Sequence, residues 1–363
     1  MPDARPFASL ISALPASVPF VAPEALERRR GERLELRLGA NESTFGPSPR
    51  ALAAMRTELE RASWYGDPES FELRSALSLH LGVPMDNMVV GSGIDDLLGL
   101  IVRTFLEPGN CAVTSQGAYP TFNYHVAGYG GRLETVPYRD DRNDVEALLD
   151  AARRHDARLL YLANPDNPTG SWHDPAAIAA LLDALPAQTL LVLDEAYVEF
   201  APTPLPFDPE DPRLVRLRTF SKAYGMAGAR IGYAVATHRT IAAFDKVRLH
   251  FGVNRIAQAG ALSALADRAF LEGVLAEVTS GRDEYARLAA SLGLTTLASA
   301  ANFVAFDLAT PERARAAAEG LLARRVFVRT PGGAPLNRLV RVTVGKPAER
   351  RRFGHALQSV LKS

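Results

Sequence analysis

Short apolar runs recur through the middle of the chain, each followed by a longer stretch of helical period. Between about residues 88 and 236 the runs are Met88–Val90, Cys111–Ser115, Leu133–Val136, Leu159–Leu162, Thr189–Leu193, Leu214–Leu217 and Ile231–Ala236. Amphipathic or apolar segments such as Asp95–Phe105, Asn143–His155 and Pro175–Leu185 lie between them. Continuous rather than alternating apolar runs suit strands buried on both faces, so the pattern predicts a mostly parallel sheet covered by helices. After Ala236 the texture changes. Thr240–His250 and Ala257–Leu292 read as long helices. The runs Phe303–Phe306, Val326–Val328 and Leu339–Val344 then alternate with the helical segments Pro311–Arg324 and Ala348–Leu361. A second, smaller α/β domain starting near residue 265 is expected, with a large domain over 41–264 and the Pro-rich segment 1–40 packing on the small one.

Length supports that division, since 363 residues exceed one simple core. Forty-one basic and 41 acidic side chains cancel, so no global field points to nucleic acid or an anionic membrane. The single cysteine, Cys111, excludes an intramolecular disulfide framework and a cysteine-based metal site, and its apolar run makes it a buried small residue. The N-terminus lacks a basic segment followed by a long apolar run, and no stretch reaches the roughly 20 apolar residues of a membrane span. A cytoplasmic enzyme is the expectation.

Candidate chemistry gathers at the carboxyl ends of the predicted strands, where ligands bind in such sheets. Thr219-Phe220-Ser221-Lys222-Ala223-Tyr224-Gly225 follows one run, and Arg230 comes eight residues after the lysine. A strand-end lysine suits a Schiff base with an aldehyde, and hydroxyls with an arginine suit a phosphate. Together they describe a socket for pyridoxal 5'-phosphate (PLP), although an exposed loop lysine is the commoner meaning of such a residue. Asp194-Glu195-Ala196-Tyr197 follows another run. A carboxylate there can pair with a protonated ring nitrogen, or simply cap a helix. Asn164-Pro165-Asp166-Asn167-Pro168-Thr169-Gly170 forms an unusual turn whose amide, Asn167, can donate to a phenolic oxygen. Gly91-Ser92-Gly93-Ile94-Asp95-Asp96 opens a helix, a natural anion cradle and equally an ordinary tight turn. An aromatic in Tyr119-Pro120-Thr121-Phe122 could stack on a planar ring.

With these motifs in order, the chain resembles the fold type I PLP enzymes and, within them, the histidinol-phosphate aminotransferase family. Asn41-Glu42-Ser43-Thr44-Phe45-Gly46-Pro47, Tyr65-Gly66-Asp67-Pro68 and Arg341-Val342-Thr343-Val344-Gly345 extend the likeness over nearly the whole chain. The resemblance implies a seven-stranded, mostly parallel sheet in the large domain and a homodimer with shared sites. By the same likeness, Lys222 carries the cofactor and shuttles a proton, and Asp194 pairs with the ring nitrogen. Asn167 and Tyr197 bond the phenolic oxygen, and Phe122 stacks on the ring. The phosphate meets Gly93, Ile94, Asp95, Thr219, Ser221 and Arg230, with Tyr65 arriving from the neighbouring subunit. Arg341 holds the substrate's anion, Arg329 matches a second anion-binding arginine, and Asn41 joins the substrate site. Tyr65-Gly66-Asp67-Pro68 stands where the family has Tyr-Pro-Asp-Pro, and Asn41-Glu42-Ser43-Thr44 where it has Asn-Glu-Asn-Pro. Arg255 occupies a position the family more often fills with a small residue. It is either an interface arginine or a ligand for an acidic substrate side chain. The implied reaction moves an amino group from histidinol phosphate or a related amino acid to a 2-oxo acid, 2-oxoglutarate first among them. An aromatic or broad-range aminotransferase, another PLP reaction and a non-catalytic regulator on the same scaffold remain alternatives.

Overall fold

In the computed structural model, residues 7–16, 21–203, 205–206 and 208–362 are described, so part of the segment 1–40 lies outside the described residues. Eight strands precede residue 240: β1 Leu36–Arg37, β2 Met88–Gly91, β3 Cys111–Ser115, β4 Arg132–Val136, β5 Leu159–Ala163, β6 Leu190–Asp194, β7 Leu214–Thr219 and β8 Gly232–Val235. Four follow: β9 Thr295–Thr296, β10 Phe303–Asp307, β11 Val326–Phe327 and β12 Leu339–Thr343. The large sheet has seven strands in the order β2-β8-β7-β6-β5-β3-β4. Within it only β8 runs against its neighbours.

Period-two alternation explains why both faces are apolar. Leu159, Tyr161, Ala163, Leu190, Val192 and Leu217 enter one core with Ile101 and Phe122. Leu160, Leu162, Leu191, Leu193 and Leu214 enter the other with Leu148 and Ile178. Covering helices start where short polar side chains cap them. Asp144 accepts from the Ala147 amide at 3.1 Å to open Val145–Arg154, and Asp174 accepts from Ala177 at 2.8 Å to open Pro175–Ala184.

A three-stranded antiparallel sheet, β12-β10-β9, carries a second core in which Tyr285, Phe306 and Phe353 meet edge to face. Strand β1 pairs in parallel with β11, tying the early chain to the C-terminal part. Two helical expectations change. The stretch read as one helix over 257–292 is two, Arg255–Ala266 and Arg268–Ser291, broken where Asp267 leaves helical geometry. The helix expected from Thr240 begins two residues earlier at His238, because the Thr237 hydroxyl caps the Thr240 amide at 3.2 Å. It ends at Asp245, where Arg248 folds back onto the Asp245 carboxylate.

On the face of β6 and β7 opposite Asp194 lies a buried charge cluster. Glu195 accepts from Arg216 at 2.6 and 3.0 Å and from Arg218 at 2.9 Å. Burial pushes the Glu195 carboxyl up, but the two guanidiniums outweigh it and hold the group below its usual range. This carboxylate clamps the ends of two strands one residue away from Asp194 and Thr219. Glu195→Ala removes the carboxylate that both buried arginines share and is expected to cost about 3–5 kcal/mol of stability. Denaturant unfolding measures it; a loss within experimental error would remove the clamp from the account.

Candidate active site

A cavity of about 220 Å³ opens where β5, β6 and β7 end. Strand β6 ends on Asp194, 4% exposed, whose two oxygens accept from Tyr161 Oη at 2.7 Å and from the Ala196 amide at 2.9 Å. Burial pushes this carboxyl up to about 6, although both hydrogen bonds pull it down. Lys222 follows β7 on the cavity wall, its Nζ 5.6 Å from the centroid of the Tyr197 ring. Its backbone is pinned three residues on: Gly225 has φ of +70°, and a Cβ there would lie 2.2 Å from the Gly46 carbonyl oxygen.

One wall is a relay of amides and hydroxyls. Arg341 Nη1 donates to Asn167 Oδ1, and because a guanidinium only donates, the Asn167 amide is left with its NH2 as the free end. Arg341 itself stands behind the wall, 7% exposed, with Nη2 on the Gly39 carbonyl at 2.9 Å. Burial lowers its pKa to about 10, which still leaves it charged at neutral pH. Its buried Nε has no partner among the described residues. Asn41 Nδ2 donates to Tyr197 Oη at 2.9 Å, while the Asn41 backbone takes hydrogen bonds with Thr343 and Asn302. Asn41 therefore acts on the cavity through Tyr197.

The opposite end is built for an anion. Gly93 has φ of +87° at the start of the helix Ile94–Phe105, and a Cβ there would meet Arg230 Nη2 at 2.6 Å. The first amides of that helix, Ile94 and Asp95, have no intrahelical acceptor. The Gly93 amide, expected to join them, is engaged by the Gly91 carbonyl at 2.8 Å. Thr219 and Ser221 hydroxyls lie 2.9 Å apart on the same wall. Arg230 donates to Asp95 Oδ2 at 3.0 Å, and Tyr119 Oη to Asp95 Oδ1 at 2.9 Å.

Besides Arg341 and Asn41, two residues expected on this cavity, Phe122 and Arg329, lie off it, while Arg255 and Tyr65, expected at an interface or in a neighbouring subunit's site, are also away from it. Phe122 does not face the cavity: it is fully buried and stacks on Tyr161, centroids 4.9 Å apart at 16°. The wall carries Tyr119, Tyr161 and Tyr197 instead, and of the pair Tyr119 and Phe122 it is Tyr119, with its hydroxyl, that takes the half-wet edge while the phenylalanine sinks into the core. Arg329 lies off the wall, held by the carbonyls of Gly39 and Val21 and lying over the Phe327 ring. Arg255 is away from this cavity, neutralised by Glu58 at 2.8 Å and lying over Trp64. Tyr65 points outward, 79% exposed, against Phe251. Conversely, Tyr161 was not singled out from the sequence.

A flat, anionic, aldehyde-bearing ring fits this donor set: an amine, a buried carboxylate whose hydrogen bonds come from neutral donors, an amide NH2, and an anion cup. Among the described residues no acidic or histidine cluster could hold a metal, and no helix is long and apolar enough to cross a membrane. Fold and site thus define a PLP-dependent enzyme of the fold type I class. The model of the family "Aminotransferase class I and II" matches residues 35–357, and the chain belongs to that family. It is 37% identical to the histidinol-phosphate aminotransferase of Anaeromyxobacter sp. (strain Fw109-5), over 97% of this chain and 98% of that one. The histidinol-phosphate aminotransferase of Sinorhizobium meliloti, solved in complex with PLP, superposes with a TM-score of 0.94 at 50% identity, covering 98% and 97% of the two chains. A double mutant of Thermus thermophilus aspartate aminotransferase superposes at 0.81 with 26% identity, covering 98% and 100%. The protein is a PLP-dependent aminotransferase, acting on an amino donor and a 2-oxo acid.

Proposed function

We propose that this aminotransferase takes its amino group from histidinol phosphate, or a closely related amino acid, and delivers it to 2-oxoglutarate or a similar 2-oxo acid. The observation that carries the reading is the placing of Lys222 and Asp194 on one cavity whose far wall is backed by a buried, charged arginine. The names of the relatives support the donor. When bound, PLP supplies an electron sink for the pair released from the donor's α-carbon.

The chain's own groups do the rest. Lys222 Nζ would hold the aldehyde, and the same nitrogen would move the donor's α-proton as general base and acid. Asp194 holds the ring nitrogen. Asn167 Nδ2 and Tyr197 Oη bind the phenolic oxygen, oriented by Arg341 and Asn41. The amides of Ile94 and Asp95, the hydroxyls of Thr219 and Ser221, and Arg230 would take the phosphate. Tyr119, on the cavity wall, would be available to pack against the ring. Arg341 would also supply the positive charge that attracts the donor's anion, from behind the wall where Asn167 and Gly39 hold its two Nη atoms. The chain works as a cytoplasmic homodimer in which Tyr65 reaches the neighbour's phosphate. Its large domain spans 41–264 and its small domain 265–363, with 1–40 packed on the latter.

The test mixes PLP-loaded protein with histidinol phosphate, aromatic amino acids and acidic amino acids, following loss of the visible lysine-bound cofactor band. Rapid loss with histidinol phosphate is expected. Loss only with the other donors overturns the reading. Arg341→Ala should weaken donor binding by roughly 2–4 kcal/mol, because the substrate's charge loses a desolvated partner. Stopped-flow titration of the same band reads it, and an unchanged donor affinity would remove Arg341 from the substrate site.

A further inference from the structure

We propose that Tyr161 is a positioning residue for the reaction, its hydroxyl fixing the Asp194 carboxylate in its ionised form so that the shared proton stays on the cofactor's ring nitrogen. The inference rests on the reading of Asp194 given above.

Strand register brings the two together. Ala163 lies opposite Asp194 and Tyr161 opposite Val192, so Tyr161 is the diagonal neighbour of Asp194 on the same sheet face. Tyrosine is also the odd residue in β5, whose other members are leucine and alanine, all buried. A buried phenol needs an acceptor, and Tyr161 Oη has one at 2.7 Å in Asp194 Oδ2. Its ring cannot swing toward solvent, being 1% exposed and stacked on the fully buried Phe122. The aromatic expected to lie on the cofactor thus serves one step behind it, holding the tyrosine that holds the carboxylate. The Ala196 amide fixes the other oxygen at 2.9 Å.

Chemistry gives this array its sense. Burial alone favours the neutral carboxylic acid, which would draw the proton off the ring nitrogen. A hydrogen bond donated to the ionised form makes the carboxylate less basic and returns the proton to the ring. Tyr161 remains a donor throughout, because burial and the adjacent carboxylate raise its own pKa well above the usual value.

Tyr161→Phe removes the hydroxyl and keeps the stack. Wild type and variant would be loaded with PLP labelled with ¹⁵N in the ring, and the nitrogen resonance recorded alongside kcat and KM. The variant is expected to keep the lysine-bound visible band, move the resonance toward that of unprotonated pyridine, and lose roughly tenfold in kcat with KM little changed. An unmoved resonance with unchanged kcat would overturn the proposal while leaving the cofactor site intact. A wild type without the visible band would instead overturn the reading beneath it. If Tyr161→Phe does not fold, Phe122→Leu, which loosens the stack but keeps the hydroxyl, must move the resonance in the same direction; an unmoved resonance there also overturns the proposal.

Discussion

Lys222→Ala protein is expected to lose the visible band of lysine-bound cofactor and to fall in turnover by roughly four orders of magnitude or more. The size of the loss follows from one nitrogen doing two jobs, holding the aldehyde and then moving the α-proton. Among the described residues no other amine lines the cavity, and the guanidinium of Arg230 only donates. The fold should be spared. Lys222 is only partly buried, and its loop is fixed by the Thr219–Ser221 hydroxyl pair and by the packing of Gly225 against Gly46. Thermal unfolding close to that of the wild type is therefore expected, together with partial rescue of turnover by a small exogenous primary amine. A variant that keeps the band would sink the assignment of Lys222.

What could be read from the sequence follows from how strongly each element is constrained. Six strands of the large sheet were legible within a residue or two of their observed ends because they are buried along their whole length and read as largely apolar runs. The edge strand β4, Arg132–Val136, is mostly uncovered and was marked only by Leu133 and Val136. The two-residue strand β1 was not legible, since Leu36-Arg37 has no pattern of its own and is held by β11, 290 positions away in register. Nor were the helices Pro49–Leu59 and Phe71–Leu81, which are short, exposed over much of their length, and ordered by packing against Arg255–Ala266. The break at Asp267 carries neither glycine nor proline, so no local signal marks it.

The site shows the same division. Lys222, Asp194 and Asn167, which line one cavity, could be singled out because each sits at or just past a strand end, where side-chain type and position both carry meaning. Phe122 was misread because Tyr119 and Phe122 lie within one turn, and only packing decides which of them faces the cavity. The preference of a phenol for a half-wet edge could have found Tyr119. Arg255 was ambiguous because its partner, Glu58, is remote in sequence. Tyr161 could have been found by asking which acceptor a tyrosine in an otherwise aliphatic buried strand would reach.

Asp194→Asn should affect the empty and the loaded protein in opposite directions. Burial holds the Asp194 carboxyl at about 6 in the cofactor-free fold, against 3.8 for an ordinary aspartate. A raised carboxyl pKa means that the folded state binds the proton more tightly than the unfolded one. Stability from this group is therefore greatest below pH 4 and declines as pH rises through about 6. Above that, the penalty is of the order of 3 kcal/mol. Asparagine carries no such penalty, so the empty variant should be the more stable protein at pH 7.5, with the difference vanishing near pH 4. Glu199, raised to about 7 by burial, shifts both proteins alike and drops out of the comparison. Binding reverses the order, because the ring nitrogen's charge then offsets the buried carboxylate, and the variant should bind PLP more weakly by roughly 2–5 kcal/mol. Unfolding of both empty proteins at the two pH values, with a PLP titration of each, measures the pair of effects. Equal stabilities at pH 7.5 together with equal PLP affinities would mean that the buried carboxylate carries no charge for the ring nitrogen to meet.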